Sequence, residues 1–238
     1  MRGALTAIVS IALLSAILAV ADAAAPPLVV PPGVPPADRA RLQNVAHEAL
    51  VSTRVEGPAY FVRPELFEYL LDHPEFASQV LRALKEGRYR IWHDAEGLWL
   101  DDGWGTRGRF TLIHAESGRR LYYARGAFQQ RFLPDMKGEA VAMFEYAFQP
   151  RVDGRTQVAS WATGYVQIDS RFLRFLGTLA MPFVQAKADK EAGQLLRVFA
   201  RVSGAIASDP AQVYAKVSAQ PDVPRQDLQR FRELLRLP

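Results

Sequence analysis

"TQVASWATGYVQIDSRFLRFLGTLAMPF", residues 156–183, decides the fold, because its hydrophobic period changes from two to between three and four within it. Up to Ile168 the side chains alternate. Val158, Ser160, Ala162, Gly164, Val166 and Ile168 share one face, and Gln157, Trp161, Thr163, Tyr165 and Gln167 share the other. Beyond Ser170 the apolar positions fall at Phe172, Leu176, Leu179 and Phe183, a helical stripe. A strand whose inner face is small therefore runs straight into an amphipathic helix. Small side chains on a sheet leave volume above them, which a close helix or a ligand must fill.

The helix is expected to continue through Leu195, Phe199, Val202 and Ile206, with Asp169 or Ser170 as cap and Asp209–Pro210 as stop. Its length predicts a kink at Pro182 or a break near Gly193. After it, "VPRQDLQRFRELLRLP" predicts a short amphipathic helix on Leu228, Phe231 and Leu235.

Upstream, turn residues at 96–97, 116–118, 133–138 and 152–154, together with the irregular step at 101–105, divide a long period-two region into six strands: "RYRIWH", "LWLDD", "RGRFTLIH", "RRLYYARGAF", "EAVAMFEYAFQ" and the final one. Connections this short make the meander antiparallel. In the fifth strand Ala140, Ala142, Phe144, Tyr146 and Phe148 lie on one face, with Glu145 and Gln149 opposite. Before the meander, Arg63 to Gly87 predicts two short helices begun by Pro64 and Pro74 and stopped at Gly87. Earlier still lies a strand within "ALVSTRVEGP", and Asp38 can cap a short helix before it.

The first 25 residues read as a secretory signal: Arg2, an apolar run from Ala4 to Val20, then small residues that place cleavage after Ala23. An uncut anchor is the alternative, since the apolar run approaches bilayer-spanning length. Pro-Pro pairs at 26–27, 31–32 and 35–36 predict an extended spacer over residues 26–37. The folded domain is expected over 38–210, with 211–238 as a tail. Export to a periplasm or cell envelope normally permits disulfides, but the chain has no cysteine, so its stability rests on core burial. The net charge of +4 is spread along the chain, which argues against nucleic acid and is compatible with transient contact with an anionic membrane surface.

Strand, two short helices, antiparallel meander and long C-terminal amphipathic helix: over residues 45–207 this order resembles the helix-grip fold of the START-like superfamily, also called SRPBCC or Bet v 1-like. The resemblance implies an α+β fold with a curved sheet of about six to seven strands gripping the last helix. It also implies a cavity between them for a lipid or other hydrophobic small molecule. The expected lining is Phe144, Tyr146, Phe148, Ser160, Ala162 and Gly164 from the sheet, Leu176, Leu179 and Phe183 from the helix, and Trp104 at the mouth. The superfamily has no universal catalytic motif, so no catalytic residue is assigned. Binding, with carriage in the envelope, is the expected function. A cyclase or aromatase-type enzyme using Tyr146, His114 or Arg125, and an interaction protein without ligand, are the competitors.

Other chemistry finds less support. "HAE" at 114–116 copies half of a zinc deaminase signature, but the cysteine ligands are missing. His93, Asp94, Glu96, Asp101 and His114 are zinc-competent residue types gathered near turns, where such groups usually bond local backbone, and no metal or cofactor is expected. Neither G-x-S-x-G nor H-E-x-x-H occurs, and "GWGTRG" at 103–108 is not followed by a helix. Arg125 and Glu145 are candidates for a cross-strand pair or a headgroup contact.

Overall fold

The computed structural model describes residues 25–103, 105–129, 136–169 and 181–238. Its centre is one open antiparallel sheet of eight strands: β1 Val51–Glu56, β2 Tyr60–Phe61, β3 Arg90–Asp94, β4 Gly97–Asp101, β5 Thr106–Glu116, β6 Arg119–Phe128, β7 Met136–Pro150 and β8 Thr156–Ile168. The first strand lies beside the last, and the order runs β1-β8-β7-β6-β5-β4-β3, with β2 also on β8. The strand count exceeds the expected six to seven because the chain pairs with β8 twice. Gly57 and Pro58 interrupt that pairing, and proline has no amide to donate to a ladder.

Six helices complete the described residues: α1 Pro36–His47, α2 Pro64–Asp72, α3 Pro74–Ala83, α4 Met181–Ser208, α5 Pro210–Ser218 and α6 Arg225–Leu235. Pro64 and Pro74 open α2 and α3 as expected. Gly87 is not the stop. Lys85 takes the left-handed position (φ 59°), and the Glu86 amide reaches back to Leu81 O at 3.0 Å, closing the helix earlier. Helix α1 likewise begins two residues ahead of Asp38, on Pro36, and its Ncap position Pro35 has no side-chain cap.

The sheet is packed on both faces. Register places Val51, Thr53, Ser160, Ala162, Gly164, Ala142, Phe144, Tyr146, Tyr122, Phe110 and Leu98 on one inner face. There Tyr60, Phe67, Leu71, Tyr146 and Val158 form a buried cluster, with Phe144, Phe148 and Phe199 against it. On the outer face Leu121, Val141, Met143 and Tyr165 pack with Val30, Val34, Leu42 and Val45. The proline-rich stretch is thus part of the packed fold and not a free spacer. Arg39 fixes it by donating to the carbonyls of Val30, Pro31, Pro32 and Val34 at 2.8–3.3 Å, and the Tyr165 hydroxyl donates to Pro26 O.

Helix α4 packs against β1, β2 and β8. It passes Gly193 without a break, while the expected kink at Pro182 falls at the edge of the described residues and the turn before it lies outside them. Its buried stripe is Leu196, Val198, Val202 and Ile206; Leu195, expected inside, is 38% exposed. Helix α5 is unanticipated: Asp209 stops α4 and at once caps α5, accepting from Gln212 N at 2.8 Å. With α6 it closes a third cluster, Val213, Val217, Phe231 and Leu235 upon Leu66, Phe76, Val80, Val198 and Val202. The segment read as a tail is therefore core.

Candidate functional site: the inner face of the sheet

Phe144, Tyr146 and Phe148 stand where alternation puts them, on the inner face of β7, and they are close-packed. Phe67 of α2 meets Tyr146 at 4.9 Å and Phe148 at 5.6 Å between ring centroids, and Phe144 stacks on Phe199 of α4 at 5.7 Å. These three aromatics fill one end of the inner face. Ser160 lies below them, fully buried. Gly57 covers it so closely that an added Cβ would come within 2.9 Å of Ser160 Oγ and 3.0 Å of Leu196 Cβ. The hydroxyls of Ser160 and of neighbouring Tyr60 are both buried and find no other hydrogen-bond partner among the described residues. Burial pushes the Tyr60 phenol well above its ordinary range, and the Ser160 hydroxyl opposes that shift.

The other end is open. Ala162, Gly164, Ala140, Ala124, Tyr122, Phe110, Leu98 and Leu100 are only half-buried, and Ala142 and Leu112 are exposed, Leu112 at 42%. None of these residues belongs to a buried cluster among the described residues. Leu176, Leu179 and Trp104, together with the Phe183 side chain, lie outside the described residues.

What shapes this open end is a row of glycines that sequence reading passed over. Gly108 pairs with Gly126 and Gly126 with Gly138, one glycine from each of three neighbouring strands. A Cβ on Gly108 would come within 2.9 Å of Arg125 O, and one on Gly126 within 2.7 Å of Arg107 O. Backbones that approach this closely leave no room for a side chain at these positions. A second break in regularity lies in β5, a bulge between Leu112 and His114.

A polar network separates the filled end from the open one. Arg120, 5% exposed, donates to Glu68 Oε2 at 2.6 Å, to Asp72 Oδ1 at 3.0 Å, to the Tyr146 hydroxyl at 3.1 Å and to Glu116 O at 2.7 Å. The Tyr146 hydroxyl in turn donates to Glu68 Oε1 at 2.6 Å. Burial opposes the Arg120 charge, but the bond to Asp72 and the surrounding negative groups outweigh it and hold the guanidinium ionised. Burial, and then the bond to Glu68, push the Tyr146 phenol up to about 12. Every Arg120 nitrogen here has an acceptor, so the network fastens α2 to the sheet. Tyr122 lies beside it, facing the open end with Phe110 at 6.1 Å, and its hydroxyl makes no hydrogen bond among those described.

The remaining sequence candidates do not converge. His114 and Arg125 project from the outer face, opposite Tyr146, so no single cavity joins the three. Arg125 lies 3.9 Å from Glu139, while Glu145 pairs with Arg54 and Arg119, each at 3.1 Å. His93 faces Glu75 at 3.4 Å, Asp94 accepts from its own turn at Glu96 N, and Asp101 accepts from Gly103 N. Among the described residues no three His, Cys, Asp or Glu side chains are grouped to hold a metal ion. No helix among them is long and apolar enough to cross a membrane.

No family model matches the chain, and no curated protein matches it. Among solved structures it has a likeness to the crystal structure of a hypothetical protein, jhp0584, from Helicobacter pylori. That match has 10% identity and a TM-score of 0.36, and covers 65% of this chain and 85% of the other.

Proposed function

We propose that the chain is an exported, START-like binding protein that holds a lipid or another hydrophobic small molecule against the inner face of its sheet. The observation that carries this reading is the half-exposed apolar surface around Phe110, Leu112, Tyr122 and Ala142, on a sheet otherwise packed on both faces. Enclosing apolar surface at about 25 cal/mol per Å² holds such a ligand without covalent chemistry. The strand order supports the helix-grip reading: β1 on β8, two helices, then a meander that starts at the far edge with β3 and returns to β8, with α4 against the sheet. Export is supported by the leader composition: Arg2, an apolar run from Ala4 to Val20, then small residues up to Ala23.

The test is uptake of a pyrene-labelled acyl chain, alongside native mass and organic extraction of the purified protein. Ala142→Trp fills the open end and is expected to abolish uptake with the thermal midpoint within a few degrees of wild type. Val152→Trp, on a fully exposed turn, is the control. A wild-type protein that emerges bare and takes up no probe, or an Ala142→Trp protein that takes it up unchanged, overturns the proposal.

A further inference from the structure

A cleft of about 510 Å³ opens where the start of α2 meets the end of β2, the β7–β8 turn and the last turns of α4 and α6. Helix α2 begins on Pro64 with no side-chain cap, and its first hydrogen bond runs from Phe67 N to Arg63 O at 3.0 Å. The Glu65 and Leu66 amides therefore precede the helical ladder and find no acceptor among the described residues. Ser203 lines the same cleft from α4 and is 8% exposed, yet its hydroxyl makes no hydrogen bond among the described residues. A buried helical serine usually returns its hydroxyl to a carbonyl one turn back, as Ser78 does to Glu75 O at 2.7 Å. The Ser160 hydroxyl is sealed from solvent, whereas that of Ser203 is not and is reached from the cleft.

Two orphan amides at a helix start and a nearly buried hydroxyl, lining one cleft, all lack an acceptor. We infer that this cleft binds the carboxylate or phosphate group of a small, partly apolar ligand, held by the Glu65 and Leu66 amides and the Ser203 hydroxyl. The helix dipole adds about half a positive charge at that point. Arg63, Arg155 and Arg236 also line the cleft, against Glu65 as the carboxylate among its lining residues. Arg63 is held by donating to Leu234 O at 2.8 Å, and Arg155 lies over the Phe61 ring at 3.9 Å while pairing with Asp153 at 2.7 Å. These guanidiniums therefore supply a positive field, and the direct donors are the amides and the hydroxyl. Glu65 offsets part of that field, which favours a singly charged group over a polyanion. Val62, Ile206, Ala207 and Pro210 give the apolar wall for the rest of the ligand. The cleft shares no lining residue with the surface around Phe110, Leu112, Tyr122 and Ala142, so this site stands apart from the inner-face ligand proposed above.

The test follows the assigned Glu65 and Leu66 amide resonances of ¹⁵N-labelled protein. The probes are inorganic phosphate, hexanoate and dihexanoyl-phosphatidylglycerol below its micellar concentration, with chloride at matched ionic strength as the blank. A saturable shift of both amides is expected, weakened about fivefold or more in Ser203→Ala. Ala207→Trp places a side chain in the cleft from an exposed position and is expected to abolish the shift, with the thermal midpoint within a few degrees of wild type. A response to phosphate or hexanoate identifies a free anion as the ligand source, and one confined to the phosphatidylglycerol identifies a lipid headgroup. No response to any probe beyond chloride, or an unchanged response in either variant, overturns the site. Pyrene-acyl uptake is expected to be unchanged in Ala207→Trp, which separates failure here from failure of the inner-face reading.

Discussion

Arg120 concentrates the polar energetics of the molecule in one side chain. Its acceptors come from α2, from the β5–β6 turn and from β7, so Arg120→Ala strands two carboxylates and a tyrosine at once. Removing one partner of a buried pair costs about 3–5 kcal/mol. Here about 2–3 kcal/mol is expected, because the Glu68 and Asp72 side chains keep 31% and 48% exposure. Urea unfolding measures it, and a loss under about 0.5 kcal/mol would show the network to be a surface pair in energetic terms. Tyr146 adds a pH dependence. Its folded pKa lies near 12 against an ordinary 10.0, so between those values the folded state keeps a proton that the unfolded chain releases. Stability is therefore intact below about pH 10 and falls as the pH rises towards 12. Tyr60 adds to the fall in the same direction, and Tyr146→Phe is expected to flatten the alkaline limb of stability measured against pH.

At the scale of elements, α4 is two different helices in one. Its described N-terminal part is held to β1 by polar bonds: Gln185 donates to Ser52 O at 2.6 Å, and Thr53 donates to Asp189. From Leu196 onward the contacts are apolar and buried. Polar bonds near solvent contribute about 1 kcal/mol each, while a buried Leu or Val contributes about 1.5–3 kcal/mol. Hydrogen exchange is expected to be faster over residues 185–192 than over 196–206, and equal protection would refute the division. The helix was legible in the sequence, and Val202 and Ile206 are buried as expected, but at its first position the reading was one residue off: Leu195 and Leu196 are adjacent and equally apolar, and the approach of Gly57 selects Leu196. The glycine row was not legible, because each glycine looks ordinary within its own strand and acquires meaning only beside the other two.

For the whole molecule, the largest revision is that the proline-rich segment and the last two helices are core. Val213, Val217, Phe231 and Leu235 cover the far side of α2, α3 and α4. Burial of four such side chains is worth about 6–12 kcal/mol, comparable with the total stability of a domain, about 5–15 kcal/mol. A chain ending at Asp209 is expected to lose its cooperative thermal transition and aggregate, and a truncated protein with a wild-type melting curve would return the segment to the status of a tail. In the proline-rich segment, Arg39→Ala frees four carbonyls and is expected to raise proteolytic sensitivity over residues 26–35 without unfolding the sheet.

By itself the sequence determined the α+β class, the six-strand meander, the two proline-initiated helices, the long helix and which face of β7 carries the aromatics. Those features depend on local period, on turn chemistry and on proline, all of which act between residues near in the chain. Only the tertiary structure decided that β1 closes on β8, that the proline-rich segment and the last two helices complete the core, that Phe144, Tyr146 and Phe148 are filled by Phe67 and Phe199, and that the open apolar surface lies instead around Leu112 and Ala142. Each of these depends on which distant residue arrives opposite a given face, and burial rewards that meeting whatever the local pattern.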